Sequence, residues 1–159
     1  MRFDAVPTVS VNGVAFGMSR EKVRSLLGTA TEFYKCKYDV NTTDDFEVCH
    51  VFYDENDKCE AIEIFYESEV YVNGSLIFPT DFETAKKVIE DLEEDDDGLI
   101  SISKSIGIYA PCGDMESILF GKEGYYNDEE QSDNDFKRGL WELGKERLEE
   151  AITGIRGGQ

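Results

Sequence analysis

The sequence predicts an α+β protein: two tandem helix–β–β–β units, antiparallel sheet packed against the helices, and a C-terminal amphipathic helix. Three observations carry that expectation. Capped amphipathic segments open at Ser19 and at Thr80 or Asp81. Each is followed by about three apolar runs of strand length, set off by turn residues. The two segments also superpose at an offset of 62 residues, which aligns Phe16 with Phe78, Ser19 with Asp81, Glu21 with Glu83, Val23 with Ala85, Leu26 with Val88 and Leu27 with Ile89. The expected units are 1–78 and 79–124, followed by an acidic loop and helix over 125–159, all in one globule.

The first helix runs from Ser19, its N-cap, to Gly28, its stop, with Val23, Leu26 and Leu27 on one stripe. Strands are expected at 32–38, 46–53 and 58–66, the last two joined by the acidic turn Asp54-Glu55-Asn56-Asp57. Asn73-Gly74 predicts a second hairpin over 71–78. The second helix is expected to bury Phe82, Ala85, Val88, Ile89 and Leu92 and to run out in Glu93-Glu94-Asp95-Asp96-Asp97-Gly98. Short strands follow at 99–103, 106–109 and 116–120, and a third helix over 134–153 carries Phe136, Leu140, Leu143, Leu148, Ala151 and Ile152 near one stripe.

Charge is the dominant compositional fact. The 159 residues include 35 Asp plus Glu against 16 Lys plus Arg, a formal net charge of −19. A field of that sign repels nucleic acid and anionic membrane and draws basic surfaces from a distance. Hydrophobic residues make up 40%, with ten Phe and eight Tyr, enough to bury a core despite the charge. Met1–Pro7 shows no apolar run of signal-peptide type, and no stretch approaches the length of a membrane helix, so a cytoplasmic location is expected. Cys36, Cys49, Cys59 and Cys112 form no C-x-x-C pair, which suits reduced thiols. With Phe52 set opposite Cys59, Cys49 and Cys59 are expected on opposite faces of their hairpin.

Catalytic and cofactor chemistry finds little to use. His50, the one histidine, neighbours Cys49, and adjacent strand residues point to opposite faces, so no thiolate–imidazole pair is expected. One histidine and scattered cysteines do not make a zinc set. Gly13–Gly17 lacks the lysine and hydroxyl residue of a phosphate loop. Neither acidic cluster has the alternating ligands of a calcium-binding EF-hand. No cofactor, metal or enzymatic activity is expected.

The segment from Gly13-Val14-Ala15-Phe16-Gly17-Met18-Ser19-Arg20-Glu21-Lys22-Val23 through Gly28 resembles a recurrent opening of small bacterial α+β proteins. Among them are tandem-repeat inhibitors similar to the β-lactamase-inhibitor protein. Size and charge also look like those of immunity proteins from bacterial toxin systems. The resemblance implies a repeated architecture and an inhibitory role. It transfers no functional residue, and the chain departs from the secreted inhibitors in its lack of a signal-type opening.

Together these observations predict a non-enzymatic acidic binding protein, an inhibitor or immunity protein that occludes the active cleft of a basic toxin or nuclease. A nucleic-acid mimic acting on a defence nuclease and a carboxylate-dependent enzyme are the alternatives. The partner-binding residues are expected in two clusters: Glu93, Glu94, Asp95, Asp96 and Asp97, and Tyr125, Tyr126, Asp128, Glu129 and Glu130. The first is singled out because acids at a helix C-terminus oppose the helix dipole, so a chain that keeps five there trades stability for binding. The tyrosines are expected as interface anchors.

Overall fold

Alternation, more than helical periodicity, governs what this chain forms. The computed structural model describes residues 1–126, and in it strand outweighs helix, 44% to 12%. Over the described residues the predicted tandem α+β class is therefore corrected to a mostly β fold with two short helices.

Arg2–Val6 (β1) buries Phe3 and Ala5 while exposing Arg2, Asp4 and Val6, the period-two pattern of a strand with one face in the core. Ser10–Val11 (β2) and Val14–Ala15 (β3) form a hairpin. Asn12 and Gly13 turn it with φ of 49° and 84°, the pair of positive values a type I′ turn requires. Helix α1 (Arg20–Leu27) follows, then a meander of Thr31–Phe33 (β4), Thr43–Asp45 (β5), Cys49–Tyr53 (β6) and Cys59–Phe65 (β7). The second half runs in the same order. Glu69–Val72 (β8) and Ser75–Phe78 (β9) close about Asn73 and Gly74, with φ of 52° and 79°. Helix α2 (Phe82–Val88) leads to Glu93–Asp95 (β10), Gly98–Ser101 (β11), Ile106–Tyr109 (β12) and Ser117–Gly121 (β13).

Two strand pairings join the halves. β1 lies parallel to β8, which gives a five-stranded sheet of order β3-β2-β1-β8-β9. β13 lies antiparallel to β7 and fuses the meanders into an eight-stranded sheet of order β10-β11-β12-β13-β7-β6-β5-β4. Each meander thus places its first strand at an outer edge and its last at the centre.

Both helices start as the sequence predicts; α1 also ends where it predicts, at Gly28, whereas α2 is shorter. Ser19 accepts from the Lys22 N–H at 3.2 Å, and Gly28 closes α1 with φ 104°. Val23 is fully buried there and Leu27 packs against the core, but Leu26 is 49% exposed, so the stripe is narrower than expected. Asp81 caps α2 by accepting from Thr84 N–H at 2.7 Å. That helix stops at Val88, because Ile89 takes extended backbone angles (φ −120°, ψ 107°). Ile89 and Leu92 still reach the core, each 4% exposed, but from outside the helix. Glu93–Asp95, expected at a helix end, are instead a strand in register with Gly98–Ile100. Four strands, not three, follow each helix; β1, β2, β3, β5 and β10 were not foreseen. The strand expected over 32–38 ends at Phe33.

In the β6–β7 hairpin a bulge after Phe52 places Tyr53 opposite Cys59 and Phe52 opposite Ala61. The expected register is off by one residue at Tyr53 and by two from Phe52 onward, and Cys49 and Cys59 are both 1% exposed in the same core. Burial raises each thiol to a pKa of about 12. They lie at opposite ends of the ladder and are unbridged, as are Cys36 and Cys112. A single apolar cluster runs from Phe3 to Phe120 and takes in residues of both sheets and both helices. The third helix expected over 134–153 lies outside the described residues. Among the described residues, no helix is long and apolar enough to cross a membrane.

Candidate functional site: the open face of the eight-stranded sheet

Strand pairing sorts the eight-stranded sheet into two chemically different faces. One transverse row reads Ser101, Ile106, Phe120, Ile62, Val51 and Asp44 from β11 to β5, and every member is buried. This face belongs to the core, and the helices attach to it. The neighbouring row reads Ile100, Gly107, Leu119, Glu63, His50 and Asp45. Every member of that row is half-buried. Successive strand residues point to opposite sides, so among the described residues the second row defines a face turned away from both helices and the five-stranded sheet, called the open face below.

Two hollows mark this face. One, of about 420 Å³, spans the β7–β13 seam and is lined by Phe33, His50, Glu63, Phe65, Asp95, Asp97, Leu119 and Tyr126, among others. The other, of about 350 Å³, is lined by Asp39, Asp54, Glu55, Glu60, Phe52 and Tyr125, with Lys35 and Tyr126 shared between the two. Among the described residues, seven of those lining the hollows are carboxylates (Asp39, Asp54, Glu55, Glu60, Glu63, Asp95 and Asp97), and Lys35 is the one Lys or Arg.

Tyr125 and Tyr126 sit on the face through two glycines. A Cβ on Gly121 would lie 2.6 Å from Cγ of Tyr125, and one on Gly107 would lie 2.7 Å from the Tyr126 hydroxyl. The two rings meet edge to face at 5.0 Å. Burial pushes the Tyr125 phenol well above its ordinary value. Lys35 donates to Glu63 Oε1 at 3.3 Å and holds its ammonium 4.3 Å over the Phe52 ring, while Ser117 donates to Glu63 Oε2 at 2.7 Å.

His50 is wedged edge-on between Phe33 and Phe65, with ring centroids 4.9 and 4.6 Å away. Burial lowers its pKa, against the opposing charges of Asp45 and Glu63 and with the help of Lys35. Its Nε2 lies 3.6 Å from Asp45 Oδ1. Cys49 points to the core and His50 to the open face, so the pair is divided as the alternation of a strand requires.

The first meander is anchored from behind by Asp44, which is 0% exposed. Arg20 Nη1 donates to its Oδ1 at 2.9 Å, Arg24 Nη2 to Oδ1 at 2.6 Å and Arg24 Nε to Oδ2 at 2.9 Å. Tyr53 hydroxyl donates to Oδ2 at 2.9 Å. Burial opposes ionisation of this carboxyl, but the Arg24 and Tyr53 hydrogen bonds and the two arginine charges outweigh it and hold its pKa below the ordinary value. Arg20 also stacks 4.0 Å over the Tyr53 ring and pairs with Asp57 at 2.8 Å. The network fixes α1 to β5 and β6, and so fixes the strands that present His50 and Phe52.

The expected partner residues divide in an unexpected way. Asp95, Asp97 and Tyr126 meet in the larger hollow, and Tyr125 and Tyr126 in the smaller. Glu93 shares the open-face row through its register with Ile100, whereas Glu94 points the other way and pairs with Lys86 of α2 at 2.8 Å. Asp96 is exposed in the turn between β10 and β11. Contrary to the sequence expectation, these acids end no helix: Glu93–Asp95 form an edge strand, where charge protects against stray pairing. Asp128, Glu129 and Glu130 lie outside the described residues. Sequence reasoning missed Lys35, Glu63, Phe33, Phe65 and the open-face position of His50. The alternation in Cys59–Phe65, which buries Ile62 and Ile64 and turns Glu63 and Phe65 outward, was the available signal.

Among the described residues, no group of three or more His, Cys, Asp or Glu side chains is disposed to hold a metal ion. No family model, curated protein or solved structure matches the chain.

Proposed function

We propose that this is a non-enzymatic acidic binding protein that neutralises a basic partner, such as a bacterial toxin or nuclease, by occluding its active cleft with the open face of the eight-stranded sheet. The observation that carries this reading is the pair of adjoining hollows, which among the described residues have seven carboxylates and one lysine around aromatic side chains. Aromatic anchors inside a charged rim are what a tight, electrostatically steered interface uses. A sheet held by Asp44 from behind offers a stiff surface, which lowers the ordering cost of association. Four unbridged cysteines suit a reducing compartment, so the encounter would take place in the cytoplasm.

Affinity capture with the full chain tests the reading, followed by association kinetics with the captured protein. The expected partner is a basic protein whose on-rate falls at least roughly tenfold between low and high salt. Amide substitutions at Glu55, Glu63, Asp95 and Asp97 should slow association, and the same change at Glu21 and Glu83 should not. A partner without basic excess, or an on-rate indifferent to salt, would falsify the proposal. Competition by DNA for the same partner would shift it to nucleic-acid mimicry.

A further inference from the structure

We infer that the larger hollow is a receptor for a guanidinium group, supplied by an arginine side chain of the basic partner. This inference rests on the binding reading above and narrows it to one chemical group at one place. Three features of the hollow lead to it.

The first is charge. Glu63, Asp95 and Asp97 line a cavity of about 420 Å³ in which Lys35, the one Lys or Arg of the lining among the described residues, already binds Glu63. An added cation therefore meets a net negative wall. The second is acceptor capacity. Glu63 takes one bond from Lys35 on Oε1 and one from Ser117 on Oε2, and Asp95 takes the Asp97 N–H on Oδ1 at 3.0 Å. A carboxylate has about four lone-pair sites, so both side chains keep acceptor positions for a planar donor. The third is the ring lining. Phe33, Phe65 and Tyr126 border the cavity, and aromatic faces attract a guanidinium, which is flat and weakly hydrated, more readily than a strongly hydrated ammonium.

The same chemistry recurs elsewhere in the molecule. Arg20 lies 4.0 Å over Tyr53 while it binds Asp44 and Asp57, and Arg2 lies 3.8 Å over Tyr71 while it binds Asp4. Both pair a guanidinium with a ring and a carboxylate together. The hollow brings rings and carboxylates together, and among the described residues its lysine, Lys35, is engaged with Glu63 and not with Asp95 or Asp97. Its position across the β7–β13 seam means that both halves of the chain build it.

The test is an NMR titration of the full chain with N-acetyl-arginine amide, and with the lysine and citrulline analogues as controls. Saturable shifts are expected at Ile100, Gly107, Leu119 and the His50 ring, with a Kd on the order of millimolar for so small a probe. The lysine probe should bind at least several-fold more weakly, and citrulline, which is uncharged, not at all. The double variant Asp95→Asn, Asp97→Asn alters only exposed positions and should lose most of the response; Phe65→Leu should weaken it separately. Absence of saturable shifts, equal binding of citrulline, or an undiminished response in the aspartate variant would overturn the inference. The two readings fail separately. A salt-sensitive basic partner with a silent arginine probe removes the hollow's role alone, whereas arginine binding with no basic partner removes the binding-protein reading, and with it the partner as source of the guanidinium, and leaves the hollow as a guanidinium receptor.

Discussion

The Tyr53 hydroxyl donates to Asp44 at 2.9 Å, so a phenol closes the last side of a carboxylate that two arginines already hold. Removal of that carboxylate would leave Arg20, which is 12% exposed, beside an empty acceptor site. Asp44→Ala should cost about 3 kcal/mol, the range for breaking a buried ion pair from one side, and Tyr53→Phe about 1 kcal/mol. Urea unfolding monitored by circular dichroism measures both.

Asp44 also sets an acid limb. Its folded pKa lies below the ordinary 3.8, so below that value the unfolded chain takes the proton first. Its contribution is therefore complete above about pH 4 and is lost as pH falls through the folded value. Asp44→Asn should flatten the acid limb of the stability profile relative to the parent. An unchanged limb would show that the network adds no net ionic stability.

His50 acts in a different window. Its folded pKa lies below the ordinary 6.5 because the Phe33–Phe65 wedge buries it. Below pH 6.5 the unfolded chain gains the proton while the folded chain resists it, so stability falls as the medium is acidified toward the folded value. The stability difference between parent and His50→Gln should narrow steadily from about pH 7 to pH 5. A constant difference would mean that the imidazole titrates alike in both states.

Three glycines should rank in a set order when changed to alanine. At Gly98 the new Cβ meets the Ile108 carbonyl oxygen at 1.9 Å and φ is 149°, so backbone must separate and the loss should exceed about 3 kcal/mol. At Gly121 it meets the root of the Tyr125 ring, for a loss of roughly 1–3 kcal/mol. At Gly107 its one contact under 3 Å is the hydroxyl of Tyr126, the far end of a side chain and not backbone or a ring root, and the loss should be the smallest. Thermal midpoints of the three variants check the order.

The acids of β10 should protect the sheet edge. Glu93, Glu94 and Asp95 are all exposed on an outermost strand. Their replacement by threonine would leave a neutral β-prone edge, and concentration-dependent association should appear in light scattering at the same ionic strength.

Local chemistry was legible in the sequence wherever one residue type decides the outcome. Ser19, Gly28, Asp81 and Asn73-Gly74 act where their side chains predict. Pairing between distant segments was not legible. The 62-residue offset places Asp81 opposite Ser19, and both cap helices, but the strand count after each helix depended on short polar strands. Thr43–Asp45 and Glu93–Asp95 carry no apolar alternation, and only their neighbours make them strands. The apolar spacing predicts a helix through Leu92, but burial needs no helix: Ile89 and Leu92 reach the core from the segment after α2. For the candidate face, the acids of β10 and the two tyrosines were visible one at a time. The hollow exists because Leu119 pairs with Glu63 and Glu63 with His50, a register no local pattern encodes.

The central β7–β13 pairing also sets a timetable for synthesis. Phe65 ends β7, and Ser117, which begins its partner, comes 52 positions later. At roughly 10 residues per second a ribosome takes about 5 s to deliver it. Throughout that interval Cys-Glu-Ala-Ile-Glu-Ile-Phe is a bare apolar strand edge on a nascent chain. Slow codons anywhere over 66–116 would lengthen that exposure, so the coding sequence of this segment should affect soluble yield even where it leaves every amino acid unchanged.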